Sequence, residues 1–212
     1  ALVPVANAIF FAGAPLYPIH AEGEQALSLH ALVKSRVFWL FMLMMLCAGA
    51  SEQAVSQWSS AFAEQGLGVS KTVGDLAGPM AVSRLIFGKY GEKLNLKRYM
   101  AACTALCIGA YLCIVFVPSS VLSLLGCAVC GFAVGIFWPG TFSRASASIR
   151  GGGTQMFALL ALAGDLGCAG GPTLAGLVSG ACGGSLRAGI LAAIIFPLLM
   201  LLCMLLMRKK AR

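Results

Sequence analysis

The sequence predicts an all-α membrane protein, a polytopic bundle in which six helices form one unit and a further helix precedes them. The first observation is composition, because 59% of the residues are apolar and only 10% are charged, too few to cover a water-soluble fold. The second is length, since roughly 20 apolar residues cross a bilayer and 212 residues therefore hold several spans. The third is the length of each apolar run. Barrel strands would be about ten residues long and would alternate, whereas longer runs satisfy their backbone hydrogen bonds as helices.

Apolar runs separated by Pro, Gly, Ser or charged clusters predict the individual elements. Seven spans are expected, at about 1–19, 37–63, 72–90, 99–118, 121–143, 154–178 and 187–207. The first segment stands apart, because three prolines interrupt it and the longest polar stretch follows it. We therefore expect residues 1–19 to be the last helix of a preceding, absent half, residues 20–36 to be a cytoplasmic central loop, and residues 37–212 to form a six-helix C-terminal half.

The distribution of basic residues predicts the orientation in the membrane. Every lysine and arginine except Lys71 and Arg187 falls on one side of the predicted bundle. By the positive-inside rule that side is cytoplasmic, which puts the C-terminus inside and Ala1 outside, as seven spans require. We expect a multi-pass protein of the cell membrane whose basic tail lies beside anionic headgroups and does not bind nucleic acid.

The loop between the third and fourth predicted spans carries the most specific pattern. It reads Gly88-Lys89-Tyr90-Gly91-Glu92-Lys93-Leu94-Asn95-Leu96-Lys97-Arg98. This order of glycine, adjacent acid and base, and then paired bases resembles the signature loop of the major facilitator superfamily, in which a cytoplasmic loop joins two six-helix halves. Glu92 stands where Asp is usual, Tyr90 replaces an aliphatic residue, and Asn95 replaces a glycine. The distribution of small and polar residues in the spans is also similar to that of the sugar and fucose permease branch.

The resemblance implies a secondary active transporter that moves a small polar solute by alternating access. Its expected partners are that solute, the lipid bilayer and the missing N-terminal transporter half. The resemblance also implies a cytoplasmic gate, in which an acid and nearby bases pair in one state and separate in the other. The candidate gating residues are Glu92, Lys93, Arg98 and Arg144. A solvated loop that obeys the positive-inside rule is the alternative explanation for the bases.

A polar stripe in the second predicted span is the candidate substrate-binding face. Positions 49, 52, 53, 56, 57 and 60 follow helical spacing, and a polar stripe in lipid must face a cavity or other helices. Carboxamides donate and accept hydrogen bonds, which suits a polyhydroxyl or amide-bearing solute. The candidate substrate ligands are Glu52, Gln53, Ser56 and Gln57, together with Trp138 beside the proline break of the fifth predicted span. Hydrogen bonding between helices is the alternative.

Two acids inside predicted spans are candidates for coupling. Asp165 lies eleven residues beyond Thr154, about 16 Å along a helix, and hence near the middle of the bilayer. A carboxylate there is costly to ionise, as a proton-coupling site requires. Glu52 is the second candidate, and we expect no ion pair within this chain for either acid, because Arg84 is expected nearer the cytoplasm.

Glycine ridges predict close packing and bending. Gly131, Gly135 and Pro139 lie in the fifth predicted span, and Gly164, Gly167, Gly170 and Gly171 lie with Pro172 in the sixth. Small residues let helix backbones approach closely, and Gly-Pro breaks give hinge points.

We expect no cofactor, no metal and no enzymatic activity. Cys127 and Cys130 have the spacing of a metal or redox motif, but no second pair accompanies them and both lie in an apolar run, where cysteine packs as a small hydrophobe. The predicted spans contain no histidine and no nucleophile with a base. A seven-helix receptor or another non-enzymatic membrane protein is the alternative class, and a ligand-dependent G-protein response would distinguish a receptor.

Overall fold

A computed structural model describes residues 10, 12–13, 27–67, 77–91 and 93–209 of the chain. These residues form helices joined by short turns, and no strand occurs within the described ranges. In chain order the helices are α1 (Leu29–Lys34), α2 (Arg36–Leu67), α3 (Ala77–Tyr90), α4 (Leu96–Phe116), α5 (Ser120–Val134), α6 (Phe137–Ser148), α7 (Gly153–Ala181), α8 (Leu186–Ala193) and α9 (Ile195–Lys209). The predicted all-α bundle is confirmed.

Five stretches of the described chain are long and apolar enough to cross a membrane. They are Arg36–Gln57, Leu96–Phe116, Val121–Ser148, Gly153–Ala181 and Leu186–Met207. Helix α3 corresponds to the remaining span of the expected six-helix unit, the one predicted at 72–90. Residues 68–76, which precede this helix, lie outside the described ranges. The predicted helix at 1–19 also lies almost wholly outside them. The spans make the chain a multi-pass membrane protein.

Helix α2 lies at the centre of the bundle and packs against α5, α6, α7 and α9. Its apolar first half buries Phe38, Phe41, Met44 and Met45 completely or nearly so. Its second half is held by α4, because the hydroxyl of the buried Tyr111 donates a 2.9 Å hydrogen bond to the carbonyl of Ser51. This bond satisfies a polar group that would otherwise be costly to bury, and it fixes the depth of α4 relative to the polar half of α2.

Among the described helices the interface between α2 and α7 is the most extensive, and glycines permit it. A Cβ at Gly49 would overlap the carbonyl of Gly164, and a Cβ at Gly171 would overlap that of Ala50. Gly170, by contrast, has no atom within 4 Å of such a Cβ. The predicted ridge therefore serves close packing at some of its glycines but not at all of them.

Two of the spans consist of two helices each. The segment predicted at 121–143 ends its first helix at Val134 and continues as α6 as far as Ser148. The predicted break beside Pro139 is present, and this proline lies in the first turn of α6, where a helix needs no amide partner. The last span also divides, between α8 and α9, and Pro197 occupies the first turn of α9. That second break was not predicted.

The described part of the expected central loop contains α1 and packs onto the bundle. Ser28 caps this helix by accepting a hydrogen bond from the amide of Ala31, and Leu32 is fully buried. The amide of Leu27 donates a 2.8 Å hydrogen bond to the carbonyl of Gly151, in the turn between α6 and α7. The segment is thereby attached to the end of the bundle where α6 finishes.

Candidate functional site

An ion pair between α2 and α3 forms the centre of the candidate site. Glu52 Oε2 lies 4.0 Å from Arg84 Nη2, and the two side chains are 13% and 49% exposed. The separation is too long for a hydrogen bond, so the attraction is electrostatic. Oε2 is buried and accepts no hydrogen bond within the described part of the chain. The site therefore offers an acceptor beside a cation that solvent or a solute can reach.

The expectation that Glu52 has no ion-pair partner in this chain was wrong. Arg84 lies six residues before the end of α3 at Tyr90, roughly 9 Å along the helix axis, so it enters the span and does not remain at its end. The long arginine side chain covers the remaining distance to α2. A lone arginine inside an otherwise apolar run was the signal available in the sequence.

The helix break at Gly135 holds Arg84 in position. Arg84 Nε donates a 3.4 Å hydrogen bond to the carbonyl of Gly135, the residue that follows the end of α5. A Cβ at Gly135 would lie 2.8 Å from Cβ of Ser83 and 2.9 Å from the carbonyl oxygen of Met80. Any larger residue would therefore push α3 away, and the predicted packing glycine also positions the arginine.

The other members of the predicted substrate face are not equally accessible. Gln53 and Ser56 are half-buried and Gln57 is exposed, whereas Gly49 is turned into the contact with α7. The stripe thus runs from a packed end towards an open end. The side chain of Ser60 lies outside what the structure describes.

Trp138 contacts neighbouring helices through its ring. The ring edge lies 2.5 Å from where a Cβ at Gly164 of α7 would be, so this glycine makes room for it. Trp138 also lies 6.2 Å from Phe142, which lies 5.7 Å from Phe157, with the distances measured between ring centroids. The half-buried tryptophan therefore joins α6 to α7 through a row of aromatic rings, and its contact with a solute stays a prediction.

Asp165 lies near the middle of α7 on its exposed side. Leu162 and Leu166 beside it are 53% and 59% exposed. Asp165 has no ion-pair partner among the described residues, and a carboxylate in mid-span must face protein or water and not acyl chains. Its surroundings fit a face that another part of the protein or a water-filled cavity covers.

Comparison with protein families decides the class of the chain. The family model of the Major Facilitator Superfamily matches residues 2–172, which is more than half of the sequence. The chain belongs to the Major Facilitator Superfamily. A search of curated protein sequences found no match. The predicted resemblance is confirmed at the level of the superfamily, and membership supports secondary transport and not the alternative of a seven-helix receptor.

The predicted gate of this superfamily member is only partly within the described structure. Glu92 lies outside the described residues, Lys93 is exposed in the turn after α3, and Arg98 is exposed in the first turn of α4. Arg144 was expected in a loop, but it lies inside α6 and is half-buried, because this helix continues to Ser148. Arg98 and Arg144 line the same cavity, which Lys93 does not reach. A gate made by these four residues stays a prediction.

Six of the nine cysteines of the transporter are buried and pack as apolar residues, whereas Cys113 and Cys168 are half-buried and Cys182 is exposed. Cys127 and Cys130 are buried in α5, and Cys130 Sγ lies 3.9 Å from Cys107 Sγ of α4. Across the described ranges no three His, Cys, Asp or Glu residues come together as metal ligands would. The buried contact between Cys107 and Cys130 joins α4 to α5.

Proposed function

We propose that the chain is the C-terminal half of a secondary active transporter that moves a small polyhydroxyl solute, sugar-like in its chemistry, by alternating access and coupled to protons. The observation that carries this proposal is the juxtaposition of Glu52 and Arg84 across α2 and α3 at 4.0 Å. A carboxylate and a guanidinium at this distance offer acceptors and donors within the reach of one small molecule.

The hydrogen-bonding capacity of the site supports a polyhydroxyl substrate. Glu52 Oε2 is a buried acceptor without a donor among the described residues, and a solute hydroxyl can supply one. The half-exposed guanidinium of Arg84 can donate to another hydroxyl, and Gln53 and Gln57 can do both. A site with this many polar groups rejects solutes that leave them unpaired, which gives selectivity for hydroxyl-rich molecules. Ser56 and Trp138 complete the proposed substrate ligands.

The two membrane acids divide the proposed coupling roles. Glu52 binds the solute and is paired electrostatically with Arg84. Asp165 lies on an exposed face without a cation beside it in the described chain. Taking up a proton removes the electrostatic cost of moving such a carboxylate through an apolar environment. Asp165 is therefore the proposed site of proton uptake, and Glu52 links it to the solute.

The proposed assembly and orientation follow the sequence-based expectations. A preceding N-terminal half would cover the exposed polar face of α2 and α7, since alternating access needs two bundles that rock about a shared site. The bases at the turn between α3 and α4 favour a cytoplasmic location for that turn and for the C-terminus, in the cell membrane.

Uptake into vesicles tests the proposed substrate class. The full-length protein is reconstituted into liposomes, and uptake of neutral sugars and of small anions is measured at pH 6 and pH 8. We expect accumulation of a neutral sugar, and a drop of roughly tenfold in Glu52→Gln and in Arg84→Gln, which is what the loss of one charged hydrogen bond gives. Lys89→Gln, an exposed cation of the same helix, is the matched control and should transport normally.

Two results would overturn this proposal. Uptake of anions alone, lost in Arg84→Gln but retained in Glu52→Gln, would assign an anionic substrate. Equal uptake by all three variants would remove the ion pair from the transport site.

A further inference from the structure

A second polar cavity lies away from the candidate transport site, between the beginning of α4, the end of α6 and the end of α9. Its volume is about 370 Å³. Lys97, Arg98 and Arg144 line one side, and Leu201, Leu205 and Met207 line another. The cavity thus combines a cationic wall with an apolar one.

The cationic wall has no anion to balance it within the described structure. Three basic side chains converge on the cavity, and no acidic residue is among those that line it. Lys97 and Arg98 also occupy the first turn of a 21-residue helix, whose N-terminal amides add partial positive charge. Like charges that line one cavity repel each other, and an anion between them would offset that repulsion.

Among the three basic side chains, Arg144 is the one whose nitrogen atoms are left poorly paired without an anion. Its Nη1 is buried and has no hydrogen-bond partner among the described residues. Its Nη2 contacts Sδ of Met207 at 3.9 Å, and a thioether is only a weak acceptor. A half-buried guanidinium with so little compensation for its buried nitrogen is unfavourable, whereas an oxyanion can accept hydrogen bonds from two of its N–H groups at once.

The apolar wall indicates what carries the anion. Leu205 is 51% exposed, and Leu202 and Leu206 continue the exposed apolar face of α9 at 49% and 47%. In a multi-pass protein such a face lies against acyl chains, which are as apolar as leucine. The cavity therefore adjoins the lipid-facing surface of the transporter at the end of its spans, where headgroups lie.

We propose that this cavity binds the phosphate group of an anionic phospholipid, with Arg144 as its main ligand and Arg98 and Lys97 as further donors. An acyl chain of the same lipid lies along Leu205. Arginine suits this role because its planar fork matches phosphate oxygens in pairs. The lipid site shares no residue with the proposed solute site, so the test of lipid binding does not depend on which substrate is transported.

A lipid titration of the full-length protein tests the proposal. The protein is purified in detergent, stripped of lipid and titrated with dioleoylphosphatidylglycerol, while its thermal unfolding midpoint is recorded. Dioleoylphosphatidylcholine, which has the same chains but no net charge, and inorganic phosphate are titrated separately. We expect a saturable rise with phosphatidylglycerol alone, and a half-saturating concentration about tenfold higher in Arg144→Gln, as for one lost charged hydrogen bond.

Two further variants keep the test independent of folding. Arg98→Gln changes an exposed side chain of the same cavity and should raise the half-saturating concentration as well. Lys93→Gln changes an exposed base that does not line the cavity and should leave the titration unchanged. Unaltered titrations in both arginine variants, or an equal rise with phosphatidylcholine, would overturn the proposal.

The remaining arms separate the competing anions. An equal rise with inorganic phosphate would assign the cavity to a soluble anion and reject the lipid. Glu92→Gln tests whether a carboxylate of the signature loop is the partner of Arg144. A binding site for lipid requires this variant to respond at least as strongly as the wild-type protein. If the wild-type protein fails to respond and only Glu92→Gln does, Glu92 occupies the cavity and the proposal is wrong.

Discussion

Gly167 of α7 lies directly against the backbone carbonyl of Leu46 in α2, so that a Cβ at this glycine would overlap the carbonyl oxygen. The same would-be Cβ lies 3.0 Å from the amide nitrogen of Ala50. The two helices therefore touch through their backbones at the centre of the bundle. Because α2 also carries Glu52, this contact determines how far the polar half of α2 lies from α7.

Replacing Gly167 should therefore disturb the bundle, whereas replacing its neighbour should not. Gly167→Ala forces α2 and α7 apart, and we expect a loss of about 1–3 kcal/mol, the usual effect of overpacking a tight core. Gly170→Ala is the matched control, since nothing lies within 4 Å of its added Cβ and alanine favours a helix. Thermal unfolding in detergent measures both, and equal midpoints would contradict the packing role of Gly167.

Helix positions and the superfamily could be read from the sequence because they depend on local patterns. Apolar runs of span length, the loop from Gly88 to Arg98 and the break near Pro139 each report a property of neighbouring residues. Which glycine of the α7 ridge touches α2 could not be read, since Gly167 and Gly170 look alike until the rotation of the helix is known.

The candidate site was predictable only in part for the same reason. Glu52 and its polar stripe stand out because charge is rare in an apolar run. Its pairing with Arg84 depends on the packing of α3 against α5, where Gly135 makes room for Ser83. Such a contact joins residues that are far apart in the chain, and a single sequence does not report it. The same holds for the cavity that brings Arg98 and Arg144 together.

The ion pair should respond asymmetrically to the loss of either partner. Arg84→Gln leaves the mostly buried carboxylate of Glu52 without its cation, and we expect a loss of about 1–2 kcal/mol, less than for a fully buried pair because Arg84 is half exposed. Glu52→Gln should lose less, since Arg84 retains solvent and the carbonyl of Gly135.

A double-mutant cycle distinguishes the pair from two independent effects. Glu52→Gln/Arg84→Gln should be more stable than Arg84→Gln alone, because no unpaired charge remains in it. The measurement is thermal unfolding of the four proteins in one detergent, with Lys89→Gln as an exposed control. Strictly additive changes would show that the 4.0 Å contact contributes no interaction energy.

Neutralising Asp165 should remove the pH dependence of transport while leaving the fold intact. Its side chain is exposed on α7 and makes no ion pair in the described chain, so Asp165→Asn deletes no packing contact.

If protonation of this carboxylate drives the coupled step, the wild-type protein transports faster as the pH on the substrate side falls, and the variant transports equally at pH 6 and pH 8. Thr173→Val is the control on the same helix, because the Thr173 hydroxyl donates to the carbonyl of Ala169 in that helix and to no other residue that the structure describes. A variant that keeps the wild-type pH profile would exclude Asp165 from coupling.

The exposed thiol of Cys182 allows the proposed orientation to be tested in intact cells. Cys182 follows the last residue of α7 and is the exposed cysteine of the described chain, whereas Cys113 and Cys168 are half-buried and the others are buried. A maleimide that does not cross membranes reacts only with thiols that it can reach from outside. If the basic turn between α3 and α4 is cytoplasmic, α7 ends on the outer face, and Cys182 should be labelled without permeabilisation.

The control variant Cys182→Ser should lose most of that label. Adding Lys93→Cys to this variant places a thiol in the opposite turn, which should react only after the cells are permeabilised. The reverse pattern for the two sites would invert the orientation and move the phosphate cavity to the outer leaflet.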